Sequence, residues 1–118
     1  MAVYKRKLSG STDGKAIKVV QTATAGDTIH TAVAGTTAGT YDEVWLWAYN
    51  GHTSNVTLTL EWGGATVPDQ NIVTTVPFKS GLIELTPGLV LQNGMVIKAF
   101  ASVANVITIY GFANSITD

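Results

Sequence analysis

The sequence predicts an all-β fold: one antiparallel β-sandwich, jelly-roll-like, of about eight strands. Three observations predict it. No segment sustains an apolar period of 3.6 residues, whereas alternating and short apolar runs recur along the chain. Turn signals separate those runs at regular intervals. A chain of 118 residues also makes one domain, with room for one core but not two.

The elements follow in order. Residues 1–15 are expected to form a flexible basic arm, extended ahead of a single sandwich domain over residues 16–118. Residues 16–20 (AIKVV) and 28–33 (TIHTAV) read as short strands. Around them, residues 22–40 are almost wholly Thr, Ala and Gly, which reads as an extended arm and loop. "DEVWLWAYN" (42–50) is a strand, turned by the Asn50-Gly51 pair. "NVTLTLEW" (55–62) alternates, with Val56, Leu58, Leu60 and Trp62 inward and Thr57, Thr59 and Glu61 outward. After the loop "GGATVPD", "NIVTTV" (71–76) is a strand closed by Pro77, and "GLIEL" (81–85) another closed by Pro87-Gly88. "LVLQNGMVIKAFA" reads as a hairpin about Asn93-Gly94, a pair that tolerates the type I′ turn. "NVITIYGFA" (105–113) is the last strand, rich in β-branched and aromatic residues.

The stretch 43–49 raises a question of packing. One face carries Val44, Leu46 and Ala48, the other Trp45, Trp47 and Tyr49, and both are apolar. Exposing three large rings together would leave a patch of several hundred Å², rare on soluble monomers. The aliphatic face is expected to line the core with Val56, Leu58, Leu60, Ile107 and Ile109. Three covers are open for the aromatic face: the Thr/Ala-rich stretch 22–40, a second copy of the chain, or a ligand such as a sugar or base stacked on the rings.

Little in the sequence suggests catalysis. His30 and His52 each stand alone, and no His, Cys or carboxylate cluster supplies the three or four ligands of a zinc site. Asp42 and Glu43 are adjacent, so on a strand they face opposite ways. Glu61, Asp69 and Glu84 are scattered, whereas glycoside hydrolysis needs two converging carboxylates. No serine stands in a nucleophile elbow, and Gly63-Gly64 precedes no helix that could cradle a phosphate. The tripeptide Asn55-Val56-Thr57 fits a glycosylation sequon at the level of chance. No enzyme, cofactor or metal is expected.

Composition narrows the partners. Charged residues make up 13% of the chain, against the usual ~25%, so much of the surface is neutral and suited to packing on other proteins. With no cysteine there is no disulfide, and no signal peptide or membrane span is legible. Five of the 7 Lys and Arg (Lys5, Arg6, Lys7, Lys15, Lys18) fall in the first 18 residues. They suit an acidic protein surface; five cations spread over fourteen positions are too sparse for a nucleic-acid arm. Lys5, Arg6, Lys7, Trp45, Trp47 and Tyr49 are therefore the candidate residues of an interface with a second subunit or another protein.

The run "LSGSTDGKAIKVVQTATAGDTIHTAVAGT", then "DEVWLWAYN", "VTLTLEWGG", "PGLVLQNGMVIKAFA" and "NVITIYGFAN", resembles small all-β proteins encoded in the virion-gene regions of tailed bacteriophages. The likeness covers nearly the full length, and its motifs are structural rather than catalytic. It implies a virion protein of the capsid decoration, or cement, type, a dimer or trimer seated outside a shell of major capsid protein. It also implies assembly in the cytoplasm of a host bacterium, without membrane or direct nucleic-acid contact. A head–tail joining, tail or fibre-base protein is the alternative virion station, and a carbohydrate-binding β-sandwich module is an alternative of another class. On the cement reading, residues 1–15 are dispensable for folding but required for attachment.

Overall fold

Short β-branched runs cannot bury a face alone, and here they pair into two stacked antiparallel sheets. The computed structural model describes residues 1–118 and contains nine strands and no helix. They are β1 (Ala2–Lys7), β2 (Ile17–Lys18), β3 (Asp27–Thr31), β4 (Tyr41–Asn50), β5 (Val56–Trp62), β6 (Asn71–Val76), β7 (Ile83–Leu91), β8 (Val96–Ala101) and β9 (Ile107–Thr117). One sheet runs β1-β9-β4-β7, with β2 sharing the edge of β9 that β1 occupies; the other runs β3-β8-β5-β6. Beyond the β1–β2 link, only β5 and β6 are joined within one sheet, and every other connection crosses between layers. That strand order is a jelly roll, two Greek keys wrapped face to face.

The core forms where the inner faces meet. Val44, Leu46 and Ala48 of β4 and Ile107 and Ile109 of β9 face Val56, Leu58 and Leu60 of β5 and Ile97 of β8, none more than 1% exposed. The aliphatic face of residues 43–49 is thus the core face. β4 shows why: its side chains are buried and half-buried in strict alternation, as a pleated central strand requires.

Four local expectations are corrected. Residues 2–7 of the supposed flexible arm are β1, paired in register with residues 112–117 of β9. Five of its six side chains are exposed, so no apolar alternation announces the strand. Pro87 and Gly88 do not end a strand; they lie inside β7, an edge strand whose two bulges absorb them. Asn93 and Gly94 do take φ of 64° each, and Met95 N–H closes the turn onto the Gln92 carbonyl at 3.3 Å. The flanking strands, however, enter different sheets, so this turn is a corner and not a hairpin.

The fourth correction concerns the Thr/Ala-rich stretch. Residues 24–26 lie against the β3-β8-β5-β6 sheet. The end of the stretch is tied beside β4 by the Gln92 amide, whose Nε2 donates to the carbonyls of Thr37 and Thr40 at 3.1 and 2.9 Å. No hydrogen bond thus carries the stretch across Trp45 and Trp47. Thr24 Oγ1 and the Gly26 N–H donate to the two oxygens of Glu61, at 3.0 and 2.7 Å. Gly26 is needed there, because a Cβ would overlap the backbone of Ala99. Glu61, read as outward, is consequently 2% exposed, and Thr59, on the same face, is 7% exposed.

Candidate functional site

The outer face of the β1-β9-β4-β7 sheet gathers the aromatic residues. Directly opposed residues of paired strands project on the same side, so Trp45 meets Phe112, Trp47 meets Tyr110 and Glu43 meets Asn114. The Phe112 ring lies between the indoles, its centroid 6.2 Å from Trp45 and 6.1 Å from Trp47, with interplanar angles of 12° and 28°. The Lys5 ammonium of β1 sits 4.3 Å from the Phe112 centroid, a cation held by the ring quadrupole. On the other side Gly88 of β7 leaves room for Trp45: a Cβ there would come within 2.9 Å of the indole Cζ2.

Polar groups fix this array. Trp45 Nε1 donates to Glu43 Oε1 at 3.0 Å, and Asn114 Nδ2 donates to the same oxygen at 3.2 Å. The carboxylate thus orients one indole and one amide, with its Oε2 in no hydrogen bond within the chain. No layer covers the face. Trp45, Trp47, Tyr49 and Phe112 are partly buried, and around them Tyr110 is 38% and Val90 54% exposed. The result is a rigid, mostly aromatic platform with one anion, one amide and one cation.

The predicted interface residues divide. Lys5, Trp45 and Trp47 come together, and Tyr49 continues the same face opposite Thr108. Arg6 faces the other way, its guanidinium 5.4 Å from the Tyr4 ring. Lys7 Nζ donates to the Ser11 carbonyl at 3.3 Å. These three basic residues also line a groove of about 590 Å³ between the β1 and β3 edges, together with His30, Asp42 and Ser115. Phe112 and Asn114 escaped the sequence reading, because the pairing of β9 with β4 is not visible in one sequence. The one signal for it was Gly111: a Cβ there would overlap the Trp45 carbonyl, marking a close crossing of the two strands.

His30 is not the isolated polar residue its sequence context suggests. It is 3% exposed, with its Nε2 2.7 Å from Asp42 Oδ2. The Ser9 N–H donates to His30 Nδ1 at 3.0 Å, which puts the imidazole proton on Nε2, and Ser115 Oγ donates to Asp42 Oδ1 at 2.7 Å. This is no catalytic triad. The serine bonds the aspartate, and the imidazole nitrogen that would take its proton already accepts a backbone donor. No three of His, Cys, Asp and Glu converge in a way that could hold a metal ion. Comparisons with family models, curated proteins and solved structures return no match.

Proposed function

We propose that this chain is a structural protein of a tailed-bacteriophage virion, a capsid decoration protein that docks on the outside of the major capsid protein shell and stabilises it. The observation that supports this reading is the platform of Trp45, Phe112 and Trp47 on a rigid central sheet. Aromatic anchors that are already ordered contribute large contact area at low entropic cost, the property shared by the hot spots of protein interfaces. Lys5 at the rim adds attraction to an acidic shell surface, and the resemblance of the strand motifs to phage virion proteins points the same way.

The test is attachment to shells. Purified particles should carry this chain in many copies, in proportion to the major capsid protein, and Trp47→Ala should lower its attachment to shells stripped of it. Absence from the head overturns the proposal, and a copy number matching a connector ring supports the head–tail joining alternative. A second reading, carbohydrate binding, is favoured by Glu43, whose free carboxylate oxygen and neighbour Asn114 stand beside the rings where sugar hydroxyls would lie. A glycan array with the intact protein tests it, and no binding there ends it.

A further inference from the structure

A sandwich has four sheet edges, and unpaired backbone at an edge invites another strand unless something blocks it. Three of the four are blocked here. β1 carries Lys5, Arg6 and Lys7 in succession. β3 is short and bulged, and the Ser9–Gly10 segment caps it: Gly10 N–H donates to the Ile29 carbonyl at 3.0 Å, and Thr31 N–H to Ser9 Oγ at 2.6 Å. β7 is broken by two bulges and Pro87. β6 alone has no such device. Its six residues, NIVTTV, contain no charge and no proline, and its register with β5 runs without a shift.

The phase of that pairing identifies which groups are free. Trp62 N–H donates to the Gln70 carbonyl at 2.7 Å, so the alternating ladder binds β6 through Ile72, Thr74 and Val76. Val73 and Thr75 then turn their N–H and C=O groups to the open edge, and neither residue makes any other backbone bond. Their side chains are exposed on the outer face, Val73 at 64%.

We infer that β6 is a dimerisation edge, pairing antiparallel with β6 of a second copy about a twofold axis through Val73. The occupant is a second copy because the edge is complementary to itself in that register. Val73 meets the partner subunit's Val73, an apolar contact on the axis, and Asn71 meets the partner subunit's Thr75, a polar contact on either side. The Val73 N–H and C=O then satisfy those of the partner subunit's Val73, and each Thr75 N–H reaches the carbonyl of the partner subunit's Asn71. The Asn71 N–H keeps its 3.4 Å bond to the Pro68 carbonyl, and no like charges meet. The antiparallel direction also brings the Phe78 end of each β6, where Phe78 is 48% exposed, towards the Val67 end of the other, where Val67 is 72% exposed. Two four-stranded sheets become one of eight strands. The inference concerns the isolated protein and does not depend on the virion reading.

Sedimentation of the full chain tests it first: a concentration-dependent dimer is expected. Val73→Lys places two ammonium groups on the axis and should raise the dimer dissociation constant about tenfold or more, with the far-UV spectrum unchanged. Trp45→Ser with Trp47→Ser should leave the dimer intact. The register has its own test, because the chain has no cysteine. Opposed residues of a hydrogen-bonded pair lie about 5.5 Å apart, within disulfide range. Under diamide, Val73→Cys should therefore form a covalent dimer. Thr75→Cys, about 13 Å or more from its own copy, should not. Three outcomes would each overturn the proposal: a wild type that stays monomeric, equal cross-linking of both cysteine variants, or a dimer that survives Val73→Lys but is lost with the indoles.

Discussion

Asp42 shows how one residue can hold the layers together. Its two oxygens accept from His30 of β3 and Ser115 of β9, so a single carboxylate ties the two sheets at the β1–β3 side of the sandwich. Removing Ser115 Oγ deletes one of those bonds and should cost about 1 kcal/mol, whereas Asp42→Ala strands two buried donors and should cost about 3 kcal/mol. Urea unfolding at constant slope measures both; equal losses would mean that His30 finds another acceptor. The adjacency of Asp42 and Glu43 did reveal that they face opposite ways, since strand geometry alone dictates it. The partnership with His30 was not legible: the residues are on strands of different sheets, and nothing local to either names the other.

At the scale of elements, alternation made β4 and β5 readable, because one face of each is sealed in the core. It failed for β1, whose pairing rests on backbone bonds to β9 and not on buried side chains. It also failed at residues 22–26, where tertiary contacts of Glu61 hold a stretch that has no periodicity. These corrections change what truncation should do. Deleting residues 1–7 strips one edge of β9 and the Lys5 ammonium over Phe112, and should lower stability by roughly 1–3 kcal/mol, net of the ordering entropy no longer lost. Deleting residues 1–15 also removes Leu8, which is 1% exposed in the core, and should cost a further ~2–5 kcal/mol. Thermal or denaturant melts of the two truncations should thus separate clearly. Coincident melts would show that Leu8 is replaceable.

For the whole molecule, the direction of the β6 edge decides what a dimer can present. The twofold axis of an antiparallel strand pair stands perpendicular to the sheet, so each copy keeps its inner and outer faces on the same side as its partner's. The sheets that bear Trp45, Trp47 and Phe112 therefore lie on one side of the joined eight-stranded sheet, and both platforms face the same way. Such a dimer can engage a surface with two platforms at once, provided that the surface repeats at matching spacing, as a shell built of identical subunits does. The second contact is then intramolecular, and avidity can exceed single-site affinity by about 10²–10⁴. On this account Val73→Lys, which touches no part of the platform, should weaken attachment to shells by about a hundredfold, while Trp47→Ala weakens each contact and leaves the dimer whole. Co-sedimentation with shells, with the oligomeric state of each variant measured in parallel, separates the two effects. If monomeric Val73→Lys attaches as tightly as wild type, the platforms act singly and the dimer serves another purpose.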